Sequence, residues 1–294
     1  MNKPSNSLAT DGMESTRAAR AYYDKTQGSY DLLWMNKQNL AMHYGFWDDS
    51  TANLHEALVN QNRYIGDLLR IGNGDVVLDA GCGVGGTAIQ FAETYGCKVT
   101  GVTISEKQVA RARKHIARRN VQALVNVELA DYCNTGLPDE SFDKAYAIES
   151  MCYADDKGRF LREMVRVLKP GGTLVVNDVF LDGRRIETTE EAQLQAWLDG
   201  WAVPSMESMD GFRQQCVDAG FAISDDRSVQ DEIMPSAKRI WRIGRLFYPF
   251  DKACNRLGLL SDETFGSTVA CVAQYRLFEE RIMNDRLLRL EKPL

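Results

Sequence analysis

Between residues 75 and 180, short apolar runs alternate with stretches of helical periodicity. "DVVLDAG" is an apolar run that ends in glycine, and a helix over Thr87–Tyr95 follows it. "CKVTGVTI" reads as a second strand, and the next helix opens at Ser105 with Gln108 three residues on, the spacing of a capping box. "LVNVELA" is a third strand and "FDKAYAIES" a fourth, followed by a helix over Asp156–Leu168. The "KPGG" turn stops that helix, and "GTLVVNDVF" is the fifth strand. Such alternation predicts an α/β fold, a parallel sheet covered by helices on both faces.

The flanks are helical in pattern. Residues 1–13 are polar and read as a disordered tail. Glu14–Trp34 is helix-compatible and aromatic, and a second helix spans Leu54–Leu69 with Leu58, Ile65, Leu68 and Leu69 as its apolar stripe. The expected division is a tail (1–13), a helical lid (14–70) and a core (71–294), with substrate-cap segments near 181–210 and 233–260. "MDGFRQQCVDAGF" reads as a helix ending at Gly220 that feeds a sixth strand. Segment 233–260 is amphipathic, with Ile240, Ile243, Leu246 and Phe247 on one side and Lys238, Arg239, Arg242 and Arg245 on another. Its plain reading is a cap helix with a solvated basic face. The sharper readings are shallow membrane contact and a diphosphate held by the arginines.

Composition narrows the function. The 294 residues are 44% hydrophobic and 26% charged, which suits a globular protein. A net charge of -6 argues against nucleic acid as a partner. The seven cysteines form no CxxC or Cys/His spacing, so no metal site is expected and reduced thiols of a cytoplasmic protein are. No apolar run has membrane-spanning length, and "MNKPSNSLATDGMEST" lacks the apolar core of a signal peptide.

In open α/β sheets, ligands bind outside the carboxyl ends of the strands. The first such end, "VVLDAGCGVGG", satisfies G-x-G-x-x-G through Gly81, Gly83 and Gly86. Yet Asp79 precedes the first glycine and would repel a pyrophosphate. The second strand ends in Val102-Thr103-Ile104, without the acid that a dinucleotide site carries there. S-adenosylmethionine, with its ammonium and sulfonium, suits an acidic loop better. An NAD-dependent oxidoreductase is therefore the remote alternative.

"VLDAGCGVGG", "TGVTISEKQ", "LADY", "SFDKAYAIESMCY" and "VLKPGGTLVV", in this order, resemble the motif series of class I S-adenosylmethionine-dependent methyltransferases. Within that class the chain resembles the sterol C24-methyltransferase, tocopherol methyltransferase and prenyl C-methyltransferase group. The resemblance implies a Rossmann-like, seven-stranded, mostly parallel sheet, with "DRLLRLEKP" as an antiparallel last strand after a helix over Phe265–Glu280. It implies that Asp79, Gly81, Cys82 and Gly83 line the methionine end of the cofactor, and that Thr103, Ile104 and Gln108 face the ribose in place of the usual acid. Asp131 and Tyr132 would meet the adenine, and Glu149 would end strand four at the reaction face.

Methyl transfer from a sulfonium is an in-line substitution, so the protein mainly aligns the partners and excludes water. An alkene acceptor passes through a carbocation, which needs aromatic faces and a base. Tyr22, Tyr23, Tyr30, Trp34, Tyr44, Phe46, Trp47, Tyr153, Trp197 and Trp201 are the aromatic candidates, and Glu149 and His43 the bases. Glu149, His43 and Tyr23 are accordingly the expected catalytic residues. His55 and His115 read as structural and solvated. The expected reaction is C-methylation of an isoprenoid or sterol-like alkene, with O- or N-methylation of a natural product as the alternative. The expected partner is a small lipophilic or prenylated substrate, with a homo-oligomer left open.

Overall fold

The structure is a computed structural model, and it describes residues 40, 41 and 43–294. The expected tail, the helix over 14–34 and the candidate Tyr23 lie outside the described residues, as do Tyr22, Tyr30 and Trp34.

Helix α1 (Leu54–Leu69) starts where the Asn53 side chain accepts the Glu56 amide, and it buries Leu58, Ile65 and Leu69 as the apolar stripe requires. The alternating region follows as β1 (Val76–Ala80), α2 (Gly86–Tyr95), β2 (Lys98–Thr103), α3 (Glu106–Arg119), β3 (Val125–Leu129) and β4 (Phe142–Ile148). After a 3₁₀ turn (Met151–Tyr153) come α4 (Lys157–Val167) and β5 (Leu168–Leu181). The chain closes with α5 (Thr188–Gly200), α6 (Met209–Ala219), β6 (Ala222–Ser228), α7 (Gln230–Arg256), α8 (Asp262–Glu279) and β7 (Met283–Glu291).

These strands form one sheet in the order β3-β2-β1-β4-β5-β7-β6. Strands β1 to β5 pair in parallel, and β7 runs antiparallel to both β5 and β6, as the resemblance implies. Order reverses beside β1, so a crevice opens at its carboxyl end. Successive core residues alternate between the faces: Val77, Tyr146 and Val175 pack on one side, Leu78, Ala145 and Leu174 on the other. Burial on both faces explains why the strands read as continuous apolar runs.

One local reading changes, at the start of the fifth strand. The "KPGG" segment does not separate α4 from the fifth strand. Pairing begins at Leu168 opposite Phe142, breaks in a bulge and resumes at Thr173 opposite Lys144, while the Gly171 amide donates to the Lys292 carbonyl. The region 233–260 is dominated by one 27-residue helix, α7, which continues through Pro235 and Pro249. Its first half buries Ile233, Ala237, Ile240 and Gly244, and its second half packs on α8 through Tyr248 and Asp251.

Candidate active site

Three strand ends are knitted together at the crevice. The Gly81 and Cys82 amides both donate to the Val102 carbonyl, at 3.1 and 3.0 Å, which ties the loop after β1 to β2. Ser150 Oγ donates to the Ala80 carbonyl at 2.7 Å, and the Tyr132 hydroxyl donates to the Ser150 carbonyl at 2.8 Å. Gly81 adopts φ 97°, and a Cβ there would lie 2.5 Å from Ser150 Cβ. No other residue type fits this crossing without displacing β4. Ser150 follows Glu149 directly in the "AIES" motif, but its role as the clamp shows only in three dimensions.

A cavity of about 60 Å³ lies at this loop, bounded by Asp79, Gly81, Cys82, Gly83, Thr87, Tyr146 and Ile148 from the core and by Leu40, Ala41 and His43 from the segment before α1. Asp79 is 4% exposed, and burial pushes its carboxyl up to about 7, partly opposed by the Tyr146 hydroxyl. Among the described residues no cation pairs with it. A buried carboxylate without a counter-ion, beside backbone stripped of side chains, suits a positively charged ligand that approaches closely.

His43 is buried in the same wall. Its Nδ1 lies 2.6 Å from Gln61 Oε1, and that oxygen also accepts the Gly45 amide at 2.7 Å. An amide oxygen only accepts, so Nδ1 carries the proton and Nε2 keeps its lone pair. Nε2 is buried and has no hydrogen-bond partner among the described residues. Burial lowers the His43 pKa to about 4, against the Gln61 and Asn62 side chains, so the ring is neutral.

Gln61 was not among the sequence candidates, although its place on the buried stripe of α1, between Leu58 and Ile65, marked it as a polar residue needing partners. Its Nε2 donates to Asn177 Oδ1 at 2.7 Å, and Asn177 Nδ2 donates to Asp285 Oδ1 at 2.5 Å. The chain from His43 to Asp285 thus links the segment before α1, α1, β5 and β7. Burial and the Glu149 charge raise the Asp285 carboxyl well above its usual range.

Glu149 ends β4 in the left-handed region, φ 47°, which strains a residue with a side chain. Its amide donates to the Asn177 carbonyl at 2.8 Å, and its Oε1 accepts the Tyr44 amide at 2.9 Å. Burial, with a contribution from Asp178, pushes its carboxyl up to about 8, while the Tyr44 amide and Gln61 pull the other way.

The remaining candidates sit further along the strand ends. Thr103 and Gln108 are both 5% exposed, and the Thr103 hydroxyl donates to Gln108 Oε1 at 2.6 Å. Ser105 Oγ accepts the Gln108 amide at 3.3 Å, so Ser105 caps α3, while the Gln108 side-chain oxygen serves Thr103. Ile104, half-buried, lies between them. One Asp131 oxygen is used within its own turn, accepting the Cys133 amide at 2.8 Å. Tyr132 packs edge-on against Phe160 with centroids 5.5 Å apart.

Four of the six described aromatic candidates pack against other aromatic rings. Tyr44 packs on Phe278, Phe46 on Tyr64 and Trp197 on Trp201. Trp47 Nε1 donates to Ser236 Oγ at 2.8 Å. Among described aromatic residues, Tyr146 alone borders the cavity.

Comparison with known proteins agrees with this geometry. Residues 78–176 match a methyltransferase domain. The chain is 34% identical over 214 residues to 27-O-demethylrifamycin SV methyltransferase of Amycolatopsis mediterranei, covering 73% of this chain and 77% of the relative. It is 30% identical over 222 residues to sterol 24-C-methyltransferase of Eremothecium gossypii, covering 74% of this chain and 58% of that one. In fold it is similar to geranyl diphosphate C-methyltransferase of Streptomyces coelicolor, solved with S-adenosyl-L-homocysteine bound (TM-score 0.72, 16% identity, 95% and 97% of the two chains). The motif series, the sheet order and these relatives together place the chain in the class I S-adenosylmethionine-dependent methyltransferase family, with S-adenosylmethionine as its cofactor.

Proposed function

We propose that this methyltransferase acts on a hydroxyl oxygen of a small lipophilic natural product, with Glu149 as the base. The observation that carries this reading is the Glu149 carboxyl at the end of β4, raised to about 8 by burial and held by the Tyr44 amide. A carboxylate of raised proton affinity takes a hydroxyl proton far more readily than an exposed one, and the cofactor, when bound, supplies an electrophilic methyl. The name of the Amycolatopsis relative, an O-methyltransferase, supports the same acceptor.

In this reading His43 is not the base. A ring whose pKa is near 4 resists protonation, whereas its buried Nε2 lone pair beside Asp79 suits an ammonium donor. His43 and Asp79 therefore hold the methionine end of the cofactor, with Gly81, Cys82 and Gly83 in backbone contact. Thr103, Ile104 and Gln108 stay assigned to the ribose, and Asp131 and Tyr132 to the adenine.

C-methylation of an alkene is the second reading, supported by the sterol 24-C-methyltransferase relative. Glu149 would then remove a proton from the carbocation. Incubation with methyl-labelled S-adenosylmethionine and a panel of phenols, macrocyclic alcohols, prenyl diphosphates and sterols tests the choice. Mass spectrometry and NMR should find the label on oxygen; label found on carbon alone would reverse the order of the two readings.

A further inference from the structure

The second half of helix α7 packs on α8 along one side, with Tyr248 against Phe265 and Asp251 accepting from the Thr268 hydroxyl, and turns its other side to solvent. Leu246, Phe250, Leu257 and Leu259 are 73%, 67%, 73% and 75% exposed, an unusual concentration of large apolar surface on a chain whose core is otherwise closed. At 3.6 residues per turn, Leu246, Phe250 and Leu257 fall within about 40° of one another, so they share a face that continues into the turn at Leu259. The same stretch is basic. From Arg242 to Arg256 it carries four Lys or Arg and one Asp, with Asp262 and Glu263 opening α8 beside it, in a chain of net charge -6. Two of these cations sit over aromatic rings, Arg245 over Trp241 at 4.7 Å and Lys252 over Tyr248 at 5.5 Å. Beside them a groove of about 810 Å³ runs between α5, α7 and α8, with Trp241, Tyr248, Val269 and Val272 in its walls and Arg245 and Arg276 at its edge.

We propose that this tip, α7 from Arg242 onward with the turn to Leu259, docks on an anionic lipid surface. Its apolar side chains would enter the headgroup boundary, and Arg245 and Arg276 would meet lipid phosphates at the groove. Apolar residues and cations interleaved on one helix match the requirements of interfacial binding, where apolar burial and attraction to anionic lipid add. No described helix is long and apolar enough to cross a membrane, so the contact is peripheral. The inference is independent of which atom accepts the methyl group.

Vesicle flotation of the 294-residue chain tests it. The protein should float with vesicles of equal parts phosphatidylcholine and phosphatidylglycerol, stay down with phosphatidylcholine alone, and be released by high salt. A variant carrying L246S, F250S, L257S and L259S should partition about tenfold less or worse, with unchanged melting temperature and cofactor affinity, since all four positions are exposed. R242E with R245E should lose the binding as well. Wild-type protein that fails to float with the anionic vesicles, or a serine variant that floats as well as wild type, overturns the proposal. So does a wild-type dimer that the serine variant converts to monomer without any vesicle binding, because the patch would then belong to a second copy.

Discussion

The Tyr44 amide donates to Glu149 Oε1 at 2.9 Å, joining the segment before α1 to the end of β4 across 105 residues of sequence. The acid at the strand end is therefore set by a segment that lies outside the alternating fold. Glu149→Gln keeps the size and most of the hydrogen bonding but removes the base. Turnover should fall by about 10²–10⁴ while cofactor affinity measured by calorimetry changes little. An equal loss in affinity would make Glu149 a binding residue instead.

The Glu149 carboxyl also fixes a pH profile. Its pKa rises from 4.5 to about 8 on folding, so the carboxylate needed as base forms only as pH rises through about 8. Turnover of the wild type should climb across that range, and the residual activity of Glu149→Gln should not.

Asp79 couples stability to cofactor binding. Its pKa rises from 3.8 to about 7 on folding, so the folded state holds a proton that the unfolded state releases. The stability this contributes is complete below pH 3.8 and is lost as pH rises through about 7. Asp79→Asn should flatten the apoprotein's melting temperature between pH 5 and 8, while weakening S-adenosylmethionine at least about tenfold. A variant that binds cofactor normally would free Asp79 from the methionine end.

His43 separates base from positioning residue by kinetics. His43→Asn should raise the KM for S-adenosylmethionine about tenfold and leave kcat within a few-fold. A collapse of kcat at unchanged KM would restore the histidine as the base. Because its pKa is depressed from 6.5 to about 4, the stability His43 contributes is present above 6.5 and lost as pH falls through about 4.

Lys157 tests how the wall behind Asp178 is held. Its buried ammonium donates to the carbonyls of Cys152, Ala154 and Ser205 at 3.0, 2.6 and 3.1 Å, joining the 3₁₀ turn to the loop before α6. Lys157→Met should cost about 2 kcal/mol or more in urea denaturation, because three carbonyls lose their donor together. A neutral substitution would mean that water replaces the ammonium.

The alternating pattern from Val76 to Phe180 was enough to place the parallel strands, their helices and the glycine loop, because burial on both sheet faces writes itself into sequence as period and punctuation. The same logic brought Asp79, Thr103, Asp131 and Glu149 to strand ends, where topology gathers them. The register of the fifth strand was not legible, since the bulge at "KPGG" is set by pairing with Phe142 and Lys292 from distant parts of the chain. Nor was the tautomer of His43, which depends on Gln61 and the Gly45 amide converging on it. Sequence by itself determined the family, the cofactor and the glycine loop that borders the crevice. Only the tertiary structure decided the protonation of the site residues, because a pKa answers to burial and to neighbours brought together by folding, not to spacing along the chain.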